Sequence, residues 1–148
     1  MRILSLGAGV QSSTVLLMSE RGLLPKLDAA IFADTHWEPK AVYKWLAWLE
    51  EYVSVPIHRV SKGDIRADAL RSKLRSSEYK QIPNGRWASM PFYTQLPSKA
   101  TEGQIKRQCT KEYKVEPIQK KLRELGDEIH LWFGISADEM RRMRMSHV

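Results

Sequence analysis

Short apolar runs alternate with helical patterns along this chain, and this alternation is the feature that most narrows its fold. The runs are almost continuously apolar, as in LDAAIFA at 27–33, and the segment 40–53 has apolar residues at i, i+3, i+4 and i+7. Continuous apolar strands are typical of a parallel sheet covered by helices on both faces. We therefore predict an α/β fold with strands over 1–6, 27–33, 55–60 and 128–134.

Start and stop residues bound the helical patterns. Pro39 stands at the start of one helix and Asp64 can cap another, whereas Gly22 and Gly126 follow the ends of two more. The stretch 76–101 is broken by prolines and has no sustained period, so we predict a long loop there. Helices are predicted over 13–21, 40–53, 64–75, 104–114 and 116–125, followed by a helical ADEMRRMRM after the last strand.

Right-handed crossovers place the carboxyl ends of parallel strands at one edge of the sheet. Ligands of open α/β sheets bind at that edge. The residues that follow the strands are therefore the first candidates for a site: Gly7–Thr14, Asp34–Glu38, Ser61–Asp64 and Gly134–Glu139.

Composition limits the class of protein. The 148 residues contain one cysteine, Cys109, so no internal disulfide can form, and no apolar run reaches the ~20 residues of a membrane span. The N-terminus has no signal-type region, so we expect a cytoplasmic protein that does not enter a membrane. The net charge of +7 favours an anionic partner, with nucleic acid among the candidates, but such an excess is equally typical of a solvated surface.

The sequence GAGVQSST follows the first strand and admits two interpretations. It is either a tight structural turn or a phosphate cradle, in which backbone N–H groups and hydroxyls surround an anion at a helix N-terminus. Gly7 and Gly9 would permit positive φ and close approach, while Ser12, Ser13 and Thr14 supply hydroxyls. The segment is neither a P-loop nor a GxGxxG fingerprint. The cluster of hydroxyl residues favours the phosphate cradle.

AGVQSSTVLL resembles the SGGxDSxxLL pyrophosphate loop (PP-loop) of the adenine nucleotide α-hydrolase superfamily. Ser12 replaces the aspartate of that motif, and Val10 replaces its second glycine. Loops loosened in this way are similar to those of the phosphoadenosine phosphosulfate (PAPS) reductase branch and its phage- and prophage-borne relatives. The six motif positions fall on Ala8, Gly9, Val10, Gln11, Ser12 and Ser13.

Three further segments resemble the same family, in the family's order. FADTHWEPK (32–40) is similar to its strand-ending "D-T", RQCTKEYKVEPI (107–118) to its "C-x-x-x-x-K-x-x-P-I/L", and GISADEMRR (134–142) to its "G-I-S-x-D-E-x-x-R". The resemblance implies a single Rossmann-like domain over 1–148 that binds ATP or PAPS. It implies that phosphate and nucleotide contacts come from Gly7, Ala8, Gly9, Gln11, Ser12, Ser13, Asp34, Thr35, Arg107, Lys111, Lys114, Ser136, Asp138 and Glu139.

Each of these groups also has a simpler interpretation. Asp34 could accept hydrogen bonds from ribose or adenine or hold Mg²⁺, or it could merely cap a turn. Arg107, Lys111 and Lys114 could grip phosphate or sulfate, or they could be surface charge. Asp138 and Glu139, together with Arg141 and Arg142, could complete the phosphate site, or they could form surface pairs at i,i+3 and i,i+4 spacing.

Cys109 has cationic neighbours that would lower its pKa and make it a nucleophile. The PAPS reductases, however, carry their catalytic cysteine in a C-terminal "E-C-G-x-H" motif that does not occur in this sequence. We therefore expect Cys109 to be at least partly buried and to serve in packing. No paired cysteine or metal-ligand spacing is present, so we expect neither an iron–sulfur cluster nor zinc.

Two functions remain open from the sequence. The chain is either a PAPS reductase-like enzyme acting at the α-phosphate of ATP or the sulfonate of PAPS, which we favour, or a non-catalytic nucleotide- or nucleic-acid-binding accessory protein of a phage or mobile element. Relatives usually continue beyond the last motif, so either a fragment or a reduced nucleotide-binding core is expected.

Among the tryptophans, Trp45 and Trp132 fit buried faces, and Trp87 could stack on a base.

Overall fold

A computed structural model describes residues 1–72, 93–95, 102–104 and 109–142. The strands and α-helices are β1 (Arg2–Leu6), α1 (Val10–Glu20), β2 (Ala29–Asp34), α2 (Lys40–Tyr52), β3 (Ile57–Ser61), α3 (Ile65–Ser72), β4 (Tyr93–Gln95), β5 (Glu102–Gln104), α4 (Glu116–Leu125) and β6 (His130–Phe133). Strands and helices alternate from β1 to α3, two short strands follow, and a π-helical turn (Lys111–Val115) precedes α4. A 3₁₀ helix (Ala137–Arg142) follows β6.

Four strands form one parallel sheet in the order β3-β2-β1-β6, which confirms the predicted α/β, Rossmann-like class. In the central pairings Ile3 lies opposite Ala29 in β2 and Leu131 in β6, and both neighbours run parallel to β1. Because each parallel connection must cross back over the sheet, the helices between the strands pack on its faces. The four predicted strands are therefore confirmed, with ends that differ by one or two residues.

Alternate residues of the strands supply two apolar cores, one on each face of the sheet. Leu4, Leu6 and Phe32 pack with Leu16 of α1 and with Leu46 and Leu49 of α2. On the opposite face, Ile3 and Ile31 pack with Leu122 of α4. Side chains point alternately to the two faces of a strand, so the continuous apolar runs serve both cores. Burying each such leucine or isoleucine contributes roughly 1.5–3 kcal/mol.

Helix ends agree with the sequence at several positions. The Asp64 carboxylate accepts hydrogen bonds from the N–H groups of Arg66 and Ala67, so it caps α3 as predicted. Gly22 and Gly126 follow α1 and α4 with φ of 70° and 135°, as expected of residues that end helices.

Two predicted boundaries were wrong. α1 begins at Val10 rather than Ser13, because its first turn is built from polar residues that carry no apolar period. Gln104, predicted to be helical, lies in β5. This strand pairs antiparallel with β4, which lies within the predicted loop 76–101. The segment after β6 is helical as predicted, and its described part forms a 3₁₀ helix over Ala137–Arg142.

The described chain divides into two compact units, and the second is formed by residues 34–37 and 61–117. Within it, Lys62 Nζ lies 3.2 Å from a carboxylate oxygen of Glu116 and 3.8 Å from one of Glu112. The same ammonium group lies 5.8 Å from the ring centroid of Tyr113, whose hydroxyl donates to the Asp68 carboxylate. These contacts join α3 and the loop before it to the π-helical turn.

Candidate functional site

The turn between β1 and α1 is closed by hydrogen bonds within the turn. The Gly7 N–H donates to Ser12 Oγ at 3.2 Å, and the Ser12 hydroxyl lies 3.4 Å from the Gly9 carbonyl. The Ser13 N–H makes the first helical hydrogen bond, at 3.0 Å to the same carbonyl. Ala8 has a φ of 52°, so the left-handed residue is the alanine, whereas Gly9 is extended with φ −87° and ψ 176°. Gly9 therefore does not use the positive φ that we expected of it.

Both serine hydroxyls of the predicted cradle have partners inside the protein. Ser12 Oγ serves the turn, and Ser13 Oγ accepts a hydrogen bond of 2.8 Å from the Trp45 indole N–H of α2. Both serines are buried. Their hydroxyls therefore hold the turn and pin it to α2, and contacts with an anion would fall mainly to backbone groups.

Backbone N–H groups at the start of α1 are the donors best placed for an anion. Those of Val10, Gln11 and Ser12 precede the first helical hydrogen bond, and the first turn has no acidic side chain. A Cβ atom added at Gly7 or Gly9 would meet no heavy atom closer than 3.8 Å and 3.9 Å respectively. These are ordinary van der Waals distances, so the packing of the described residues does not require glycine at either position.

Gly134, directly after β6, lies in close contact with the backbone of this turn. A Cβ at Gly134 would lie 2.6 Å from Gln11 C and 2.6 Å from Ser12 Cα, and even closer to Ser12 N. Only glycine permits such a close approach between two backbones. The segment after β6 therefore starts beside the first turn of α1.

That segment carries three of the predicted site residues. The Ser136 hydroxyl donates to the Asp138 carboxylate and, together with the backbone N–H of Asp138, lowers the pKa of this exposed group below its ordinary value. The Glu139 N–H donates to the Ser136 carbonyl at 2.9 Å. These bonds fix the local conformation of the segment and keep Asp138 ionised.

Asp34 and Thr35 lie in the second unit, in the turn that ends β2. Asp34 Oδ1 accepts a hydrogen bond of 2.8 Å from the His36 N–H, and Thr35 Oγ1 accepts one of 3.4 Å from the Trp37 N–H. The Thr35 carbonyl accepts from the Ile65 N–H at the start of α3. Both residues are buried and hold the shape of this turn.

The predicted cationic helix is only partly described. Lys111 and Lys114 are exposed, and Arg107 lies outside the described residues, as do Trp87 and most of the predicted loop 76–101. Cys109 is half-buried and packs against Ile65 and Tyr113, which confirms the predicted partial burial. Within the described ranges, no three His, Cys, Asp or Glu side chains are grouped so that they could hold a metal ion.

No family model, curated protein or solved structure matches the chain. The class of this protein therefore rests on its fold and on the geometry of its turns. The parallel sheet with helices on both faces defines an α/β protein of Rossmann-like architecture. In the part of the chain that the structure describes, no helix is long and apolar enough to cross a membrane.

Sequence reasoning missed three features around the turns after β1 and β2. The bond between Ser13 and Trp45 joins residues 32 positions apart, and no local pattern signals it. Gly134 gave a signal, because a glycine directly after a buried strand often marks a close backbone approach. Trp37 is exposed in the turn after β2, and the sequence pattern around it does not signal this exposure.

Proposed function

We propose that the turn Gly7–Ser13 binds the phosphate or sulfate group of an adenine nucleotide, ATP or PAPS. The observation that carries this proposal is the group of first-turn N–H groups of α1 that precede the first helical hydrogen bond, in a turn without an acidic side chain. A helix N-terminus attracts anions because its N–H groups and its macrodipole both present positive charge. The turn also follows a strand at the sheet edge where ligands of open α/β sheets bind.

The reaction that we favour acts at the α-phosphate of ATP or at the sulfonate of PAPS. In either case the turn N–H groups would stabilise negative charge on the oxygens of the reacting group. Cys109 would not be the nucleophile, because it packs against Ile65 and Tyr113. Mg²⁺ would enter bound to the nucleotide, and carboxylate oxygens are its suitable protein ligands. We assign no step to the ion.

Calorimetry with ATP and with PAPS tests the binding proposal. Gly9→Ala places a methyl group beside the first-turn N–H groups, where the anion would bind, and we expect its affinity to fall about tenfold or more, which corresponds to ~1.4 kcal/mol. Thr14→Ala is the matched control, because it removes an exposed hydroxyl of the same helix that is bonded to the Val10 carbonyl. Equal affinity of wild type and Gly9→Ala, or no binding by wild type, would contradict the proposal.

The second candidate is a non-catalytic nucleotide- or nucleic-acid-binding accessory protein, and the net charge of +7 favours it. Release of pyrophosphate from ATP, or of sulfite from PAPS with thioredoxin as donor, would establish the enzyme. Sulfite release that disappears in Cys109→Ser would show that our assignment of Cys109 to packing is wrong. Single-strand binding that weakens steeply with salt, without turnover, would favour the binding protein.

A further inference from the structure

Three hydroxyl side chains stand near the start of α1, and they differ in the groups that receive their protons. Thr14 and Ser12 each direct the hydroxyl to a backbone carbonyl of the same turn, at 2.8 Å and 3.4 Å. The Ser13 hydroxyl instead accepts a hydrogen bond from the Trp45 indole N–H. Within the described part of the chain it donates to no acceptor, so its proton is the one left over.

The chemistry of the two groups explains this arrangement. An indole N–H can only donate, so the Ser13 oxygen is necessarily the acceptor in its bond with Trp45. A serine hydroxyl has one proton and two lone pairs, and the indole occupies a lone pair without using the proton. Ser13 is only 4% exposed, so water has little access to that proton. A buried donor without a partner costs free energy, which an anionic ligand beside it would recover.

The indole of Trp45 is held in a fixed orientation. Its ring stacks on that of Trp48 with centroids 4.8 Å apart, and Trp48 stacks in turn on Tyr52 at 4.7 Å. Trp45 also packs against the core cluster that α1 and α2 share with the sheet. The rings and the turn after β1 belong to the same compact unit. That unit consists of Met1–Ala33, Glu38–Val60 and Ile118–Val148.

We propose that Trp45 is a positioning residue of the anion site. By occupying the acceptor side of the Ser13 hydroxyl, it directs the proton of that hydroxyl to a phosphate or sulfate oxygen. This inference rests on the proposed function, and it adds a residue 32 positions away that acts through Ser13 rather than by touching the ligand. A hydroxyl that accepts one hydrogen bond is a stronger donor in the next, because linked hydrogen bonds polarise one another.

Calorimetry with ATP tests the effect of the indole N–H on affinity. Trp45→Phe keeps an aromatic ring and removes the N–H, and we expect the affinity to fall at least about threefold. Trp48→Phe is the matched control, because it makes the same change at the exposed tryptophan of α2 and should leave affinity unchanged. Ser13→Ala should lower the affinity about tenfold. The double variant should lose no more than Ser13→Ala alone, because Trp45 acts only through Ser13.

The indole N–H proton of Trp45 provides a signal that a merely structural role would not move. Inorganic pyrophosphate is the probe, because it carries phosphate oxygens without an aromatic ring. When Ser13 donates its proton to a phosphate oxygen, its own oxygen becomes a stronger acceptor. The Trp45 indole proton should therefore shift downfield in an NMR titration of wild type. The indole proton of Trp48 should not shift, nor should that of Trp45 in Ser13→Ala.

Three results would each overturn the positioning role of Trp45. They are unchanged ATP affinity in Trp45→Phe, additive losses in the double variant, and a Trp45 indole signal that stays in place while pyrophosphate binds. The titration uses wild type, so it decides the matter even where a variant does not fold. If wild type bound neither ATP nor pyrophosphate, the proposed function would fail and this inference with it. If Gly9→Ala lowered ATP affinity and Trp45→Phe did not, the positioning role alone would fail.

Discussion

Replacing Gly134 by alanine is the most direct test of how β6 and α1 fit together. The added Cβ would lie 2.6 Å from Gln11 C and from Ser12 Cα, whereas carbon atoms pack best at ~3.5–4.0 Å. About 1 Å of overlap must therefore be relieved. The atoms in the way belong to the backbone of a helical turn, so no flexible side chain can rotate aside.

We expect this overlap to cost about 3 kcal/mol of unfolding free energy, at the upper end of the ~1–3 kcal/mol typical of overpacked cores. For a chain of this size that corresponds to a fall in Tm of roughly 6–12 °C. Urea unfolding followed by circular dichroism measures the free energy, and amide NMR shifts of Gln11 and Ser12 locate the displacement.

Gly9→Ala is the matched control in the same turn, since its Cβ would meet nothing closer than 3.9 Å. Gly9 precedes α1, where alanine is a poorer cap than glycine, but alanine also restricts the unfolded chain. These effects oppose each other, so we expect a change below about 1 kcal/mol. If the unfolding free energy of Gly134→Ala lay within about 0.5 kcal/mol of the wild-type value, the close contact between β6 and α1 would be refuted. That range is ordinary for a surface substitution.

Three further perturbations test local interactions. Ser136→Ala should raise the pKa of Asp138 toward its ordinary range in an NMR titration. In wild type the pKa of Asp138 is lower in the folded state than in the unfolded state, so the interaction stabilises the folded state above the unfolded-state pKa. This stabilisation is lost as pH falls through the folded-state pKa. Asp64→Ala removes the cap of α3 and should cost about 1 kcal/mol in urea unfolding, whereas the exposed Asp127→Ala should cost little. Tyr113→Phe removes the hydroxyl bonded to Asp68 and should cost about 1.5–3 kcal/mol, and a loss below ~0.5 kcal/mol would show that this bond does not stabilise the protein.

The sheet was predictable because each strand is an apolar run that contributes to two cores. Ile3 and Leu4 are adjacent in sequence yet belong to opposite faces, and only a sheet covered on both sides uses both. The short strands β4 and β5 were not predictable, because three-residue strands such as Tyr93–Gln95 are too short to display a period.

The position of the turn after β1 was predictable, whereas the hydrogen bonds of its groups were not. Because Gly7–Thr14 follows a predicted strand, the sequence alone places it at the carboxyl ends of the parallel strands. The parallel pairing of β1 supports that placement. The roles of individual groups depend on partners distant in sequence, such as Trp45 for Ser13 and the close approach of Gly134 to Ser12. A local pattern carries no information about such partners, so the hydroxyls were assigned to an anion before their internal bonds were known.

Ala8 and His36 are the non-glycine residues with positive φ in the described part of the chain. Each lies two positions after the end of its strand, β1 or β2, and together they provide a final test of the turns. This conformation costs an L-residue about 1–2 kcal/mol, which glycine would relieve, while glycine loses ~0.4–1 kcal/mol through the greater freedom of the unfolded chain. Ala8 also packs its methyl group in the core, worth about 0.8 kcal/mol, whereas the side chain of His36 is exposed. His36→Gly should therefore be more stable than Ala8→Gly. The expected difference in urea unfolding is about 0.8 kcal/mol, the contribution of the buried Ala8 methyl group. The opposite order would mean that the His36 side chain stabilises its turn by more than the Ala8 methyl group stabilises the core.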